Sequence, residues 1–378
     1  MITIDAIFII FLSFYFLIKL SKNLKINNKL IIFLLIYRTS ICLIYIPIAK
    51  FGDLDAYGYY KFADKFHLDF YNTNFIFNIN YILKNFLNFS VVSSSLIFTF
   101  IGTIGIIFFI LNLNKISNNV DTSLKNLCQL VVFLPTLNLW TSCIGKDAIT
   151  FTSINLIIFS FLKLKPNFII ILLASVFFIL VRPYVGITLV FSFIIAFTGK
   201  MNLPKITKFL LVILSIFGFL AVNLIVPDTF KFDNLSNLPE KISFYQMVNA
   251  TGSNVVDLEK LNFPLKLFTF MFRPLLFDAK GAFAFLMSFE NIIYLLIFIF
   301  PVIQIAKSLK FKKLKLDSIT LFIGIFLAVN WTFFSMTCAN LGTANRYKLM
   351  FVPGLIFLSI KLSEKIQVFE KTNYLSKN

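Results

Sequence analysis

The sequence predicts an all-α, polytopic integral membrane protein: one multi-pass helical domain over residues 1–378, with about eleven transmembrane spans. Three observations predict it. First, 58% of the 378 residues are hydrophobic and 51 are Phe, more apolar surface than a soluble core of this length hides. Second, several apolar runs approach or exceed the ~20 residues a helix needs to cross a bilayer, and the ~10-residue alternating segments of a barrel are missing. Third, lysines cluster between the runs, as cytoplasmic loops require.

Residues 2–20 form the first span. With no basic stretch before it and no small-residue cleavage site after it, it is expected to be retained rather than removed as a signal peptide. Lys19, Lys22, Lys25 and Lys29 place the following loop inside and the N-terminus outside. Residues 30–49 return outward, with Arg38 near mid-span. Residues 50–90 are a first outer loop rich in Asn, Tyr and Phe, suited to short helices lying at the interface. Residues 91–113 run inward to Lys115 and Lys125. Residues 127–139 run outward and are kinked or ended near Pro135, which lacks an amide hydrogen. Residues 148–162 run inward to Lys163 and Lys165.

Residues 168–198 are too long for one span and short for two. A single span would put the basic loop from Lys307 to Lys315 outside, so a hairpin turning at Arg182-Pro183-Tyr184 is expected. Each leg of ~15 residues reaches ~22 Å, less than the ~30 Å hydrocarbon core. Arg182 is therefore expected below the outer surface, surrounded by protein or water. Residues 209–226 run outward into the largest outer loop, 227–281. Residues 282–305 run inward and carry Glu290. Residues 319–338 run outward, and 349–360 return to a basic C-terminal tail inside.

The net charge of +18 follows from this topology. Of 35 basic residues four are Arg; 20 of the lysines fall in inner loops and the tail, against 11 elsewhere. Nucleic acid is not an expected partner. The four cysteines show no CxxC spacing and indicate neither a disulfide frame nor a metal site.

Candidate chemistry gathers in five polar stretches expected on the outer side and in one site: FGDLDAYGYY (51–60), NLWTSCIGKD (138–147), RPY (182–184), FRPLLFDAKGAF (272–283) and NLGTANRY (340–347). No inner loop contains an arginine. Lysine serves topology as well as arginine would, but a guanidinium binds phosphate in a bidentate fork and stays charged when buried. Arg182, Arg273 and Arg346 are therefore candidates for phosphate or pyrophosphate recognition; alternatively they cap carbonyls or pair with acids. Asp53 and Asp55 either share a divalent cation, supply a general base, or cap a helix over 56–66. Asp147, next to Lys146 at a span edge, is a general base or half of an ion pair bracing two loops. Glu290 in an apolar helix end needs a basic partner, with arginine the natural one. Tyr57, Trp140, Tyr184 and Tyr347 stack on sugar rings or serve as interface aromatics. His67, the single histidine, reads as an interface residue.

Together, GDxDAYxYY, WTSxxGKDA, RPY, FRPLxxD ahead of a span with Glu, and GTANRY before the last span resemble the bacterial oligosaccharide repeat-unit (O-antigen) polymerases and the related GT-C-type glycosyltransferases. The resemblance implies a GT-C-like bundle in the bacterial inner membrane, with periplasmic N-terminus and cytoplasmic C-terminus. It implies transfer of glycan from an undecaprenyl-pyrophosphate carrier on the periplasmic face, for an O-antigen or capsule-type polysaccharide. The implied partners are the lipid-linked glycan, membrane lipids and a chain-length regulator protein, and no cofactor beyond a divalent cation at Asp53 and Asp55. Arg182, Arg273 and Arg346 match the residues that hold lipid-linked anions; Asp53 and Asp55 match the first-loop acid. Here each loop offers one arginine instead of a set, which favours the alternative of a polyprenyl-phosphate-sugar-dependent enzyme adding a single sugar. A flippase for the lipid-linked unit is the other alternative; it would show midplane charges and repeat symmetry.

Overall fold

Uninterrupted apolar runs become helices because backbone in hydrocarbon must satisfy its own hydrogen bonds. The computed structural model describes residues 3–198 apart from Asp53 and Leu164, residues 206 and 213, and residues 238–250, 254–308 and 316–375. The first helices are α1 (Ile4–Asn23), α2 (Asn28–Phe51), α3 (Asp55–Lys61), α4 (Thr73–Tyr81) and α5 (Val91–Ile116). Next come α6 (Thr122–Leu130), α7 (Pro135–Trp140), α8 (Lys146–Phe161), α9 (Phe168–Val181) and α10 (Pro183–Thr198). The last are α11 (Leu238–Asn249), α12 (Phe263–Phe272), α13 (Ala282–Ser308), α14 (Ser318–Thr337), α15 (Leu341–Tyr347) and α16 (Val352–Leu375). Among the described residues there is no strand; one isolated antiparallel bridge joins Val255 and Asn340.

Among the described residues five helices are long and apolar enough to cross a bilayer: α1, α2, α5, α14 and the Ala282–Gln304 part of α13. The protein is thus an all-α, multi-pass membrane protein. The expected span 209–226 lies outside the described residues except for Ile213.

Asparagine, abundant in the loops, starts many of these helices. Asn27, Asn167, Asn262 and Asn340 each accept a backbone N–H of the first turn through the side-chain oxygen, as Asp121 does ahead of α6. Two boundaries differ from expectation. The outward run 127–139 is not one helix: α6 ends at Leu130, a 3-10 turn covers Val131–Phe133, and α7 starts at Pro135. Proline holds Leu134 extended (φ −60°, ψ 129°), which breaks the run. The expected helix 56–66 instead begins at Asp55 and ends at Lys61, short because Gly58 and the neighbouring tyrosines are weak helix formers. Leu54 holds the N-cap position, and Asp55 sits in the first turn, where the helix dipole favours a carboxylate.

The chain divides into two units: Met1–Asn112 with Val132–Pro183, and Leu113–Val131 with Tyr184–Asn378. In the first unit, Leu17, Ile31 and Leu35 of α1 and α2 pack with Ile107 of α5. Helix α8 is buried on almost all faces. Small residues let α5 come close to its neighbours. A Cβ at Gly102 would lie 1.9 Å from the Thr141 carbonyl oxygen, and one at Gly105 would lie 2.6 Å from Thr152 Oγ1. Gly102→Ala is therefore expected to destabilise the protein by about 3 kcal/mol or more, since overpacking against backbone has no flexible side chain to displace. Gly58→Ala, whose nearest neighbour is 4.0 Å away, is the control and should be neutral or slightly stabilising. Melting of the detergent-solubilised variants checks both; equal melting temperatures would refute the close approach.

Phenylalanine builds the second unit's core. Phe334 of α14 stacks on Phe270 of α12 at 5.8 Å and meets Phe351 at 5.6 Å, and Phe326 meets Phe351 at 6.0 Å. Asn330 Nδ2 donates to Thr188 Oγ1 at 2.6 Å, tying α14 to α10.

Candidate functional site

In the first unit the stretch 138–147 is held from several sides. Asn138 is fully buried; its Nδ2 donates to the carbonyls of Val132 and Leu134, both at 2.9 Å, closing the break made by Pro135. Arg38, 0% exposed on α2, donates to Asn138 Oδ1 at 2.7 Å, to Thr141 Oγ1 at 3.0 Å and to the Thr141 carbonyl at 2.6 Å. Its Nε donates to Thr103 Oγ1 on α5 at 3.0 Å. A guanidinium thus sits in a cage of neutral oxygens from two parts of the chain, α5 and the 138–141 stretch. Thr99 Oγ1 adds a bond to the Ser142 carbonyl at 2.5 Å.

Helix α8 then opens on Lys146 and Asp147. Asp147 accepts from Arg182 Nη2 at 2.9 Å, with the side chains 1% and 2% exposed. Arg182 caps the end of α9, so this pair ties the start of α8 to the end of α9. Lys146 Nζ donates to Asn72 Oδ1 at 2.6 Å and to Thr73 Oγ1 at 2.9 Å at the start of α4. Asn72 has a left-handed φ of 57° and donates its own N–H to the Leu180 carbonyl at 2.6 Å. Trp140 meets Tyr45 edge-on at 6.1 Å, and Tyr57 packs half-buried against the cluster that contains Ala49 and Cys143. Asp55 is exposed. Asp53, and with it the paired-carboxylate cation site, lies outside the described residues.

In the second unit, α12 ends at Arg273, whose backbone is extended and whose bond to Pro274 is cis. Arg273 Nε donates to Asp278 Oδ2, and the other carboxylate oxygen takes the N–H of Leu275. Asn291 Nδ2 donates to the Pro274 carbonyl at 2.9 Å. Lys348, one residue beyond the NLGTANRY stretch, donates to Asn291 Oδ1 at 2.6 Å and to the Met271 carbonyl at 3.1 Å. The FRP turn, the third turn of α13 and the residue that follows the NLGTANRY stretch are thereby brought together. Glu290, 1% exposed, acts electrostatically on Lys348. Asn340 Oδ1 caps α15 through the N–H groups of Gly342 and Thr343, and Arg346 is half-buried near its end. Tyr347 lies 5.0 Å and Tyr184 6.3 Å from Phe334, both tilted against that ring. Beside the FRP turn an open groove of about 440 Å³ runs over Leu267, Phe268 and Phe272, with Phe298, Ala328 and Trp331 opposite. Trp331 Nε1 donates to the Leu267 carbonyl at 2.8 Å, which fixes that wall.

Two residues that the sequence did not single out, Asn291 and Lys348, hold the second arrangement; in the first, Arg38 was read only as a mid-span arginine and Asn138 only as the start of the 138–147 stretch. Lys348 carried a faint signal, as a lysine at the outer end of a span, where topology asks for none. The four cysteines are buried free thiols. Among the described residues no three His, Cys, Asp or Glu side chains group to hold a metal ion. No family model matches the chain, and no curated protein or solved structure matches it.

Proposed function

We propose that the protein is a glycosyltransferase of the bacterial inner membrane that polymerises undecaprenyl-pyrophosphate-linked oligosaccharide units on the periplasmic face, for a surface polysaccharide. In this proposal it has about eleven spans, with the N-terminus outside and the C-terminus inside. One observation carries the reading: the fork of Arg273. Its guanidinium is 27% exposed and braced at Nε by Asp278, which leaves the two terminal nitrogens to bind an anion. Breaking a glycosidic bond to a pyrophosphate needs that group's charge neutralised as it leaves, and a preorganised guanidinium supplies this. The aromatic groove that ends at Phe272, the residue before Arg273, supports a substrate with a hydrocarbon tail and a phosphate head. Arg346, two residues before the lysine that bonds to the same turn, is the second candidate. The presence of one arginine per stretch favours a second reading, a GT-C enzyme that adds a single sugar.

Deleting the gene and running the surface polysaccharide on a gel separates the two. A core bearing one repeat unit, with the long ladder lost, supports the polymerase. Loss of that unit, or a unit of lower mass, supports the single-sugar enzyme or a flippase. In the complemented strain, Arg273→Lys is expected to cut ladder output at least about tenfold at unchanged membrane levels, because an ammonium cannot replace the fork. A full ladder from Arg273→Lys would refute the phosphate role.

A further inference from the structure

The turn that presents Arg273 hangs on a fully buried lysine. Lys348 is 0% exposed, and an ammonium taken out of water is costly unless its hydrogens find partners. Its bonds go to the Met271 carbonyl and to Asn291 Oδ1, and Asn291 passes a bond on to the Pro274 carbonyl. Those two carbonyls flank Phe272 and Arg273. The backbone of the arginine is thus fixed on both sides, while Asp278 fixes its side chain at Nε. A methionine of similar length would fill the same space without a buried charge, so packing alone does not call for a lysine here.

The geometry points to Lys348, acting through Asn291, as the positioning residue that aims Arg273 at its anionic ligand. This role rests on the proposed phosphate fork. Lys348 sits in a 3-10 turn ahead of α16, outside the five candidate spans, and burial pulls its ammonium down to about 7. Two titratable groups act on it, Glu290 on α13 and Cys338 at the end of α14; Tyr294 stands one turn beyond Glu290, and the Arg273–Asp278 pair belongs to the turn that Lys348 braces. The charged form of the strut, the one Glu290 attracts, is therefore present below about pH 7 and lost as the pH rises through it.

The test is calorimetric titration of the full chain in detergent micelles with inorganic pyrophosphate. Lys348→Met is expected to weaken binding about tenfold, or about 1.4 kcal/mol. The double variant with Arg273→Gln is expected to bind no more weakly than Arg273→Gln alone, the non-additivity of residues acting as one unit. The wild-type to Lys348→Met affinity ratio, in which the probe's own titration cancels, should be largest below pH 7 and shrink above it. Asn291→Asp keeps the acceptor for Lys348 but removes the donor to Pro274, and should weaken binding in the same way even if Lys348→Met fails to fold. If both variants melt lower yet bind as the wild type, or if their effects add to that of Arg273→Gln, Lys348 is structural only and the proposal falls alone. If the wild type does not bind pyrophosphate, or Arg273→Gln does not weaken it, the phosphate fork falls and takes the proposal with it.

Discussion

Asp147→Ala is expected to lower stability by about 3–5 kcal/mol, the largest effect of any single carboxylate in the first unit. The change leaves the Arg182 guanidinium charged, 2% exposed and without its 2.9 Å partner. Removing one member of a buried pair costs far more than removing both, because the lone charge keeps its desolvation penalty. The double replacement Asp147→Leu with Arg182→Met should therefore recover most of the loss. Denaturation in detergent, followed by tryptophan fluorescence, measures the stability. The same double variant also tests chemistry. If it folds and still produces the polysaccharide, the pair braces α8 against α9; if it folds and produces none, Asp147 or Arg182 acts on substrate. A single variant as stable as the wild type would overturn the buried pair itself.

Arg38→Ala is expected to cost about 3–5 kcal/mol as well, for the opposite reason. Here the lost group is the donor, and four buried oxygens are left behind: Thr103 Oγ1, Asn138 Oδ1, Thr141 Oγ1 and the Thr141 carbonyl. Each unsatisfied buried acceptor costs about 1–3 kcal/mol, reduced where the threonine hydroxyls retain their bonds to the carbonyls of Thr99 and Leu137. Arg38→Lys should restore only part, because an ammonium lacks the planar fork that reaches Asn138 and both oxygens of Thr141 together. Protease resistance of the 138–147 segment in membranes reads this out. Arg38→Lys matching the wild type would show that charge, not the fork, holds the segment.

Much of the architecture was legible in single stretches of sequence. Apolar runs mark α1, α2, α5, α13 and α14, since a span must satisfy its backbone within itself. Proline marks the breaks before Pro135 and Pro183, because it acts on adjacent backbone. The arginines were legible as unusual residues. Their partners were not: Asp147 lies 35 residues from Arg182, and Thr103, Asn138 and Thr141 lie 65, 100 and 103 residues from Arg38. Nothing local to Arg38 separates a mid-span liability from the centre of a polar cage, and nothing local to Lys348 reveals that it braces residue 271. Hydropathy and propensity are properties of neighbours along the chain, so the sequence by itself determined where the long apolar helices lie, though not the ends of α3 or the extent of the break between α6 and α7. Which buried charge meets which oxygen depends on the packing of helices distant in sequence, so only the tertiary structure decided that Arg182 is paired, Arg38 is caged and Arg273 keeps an open fork.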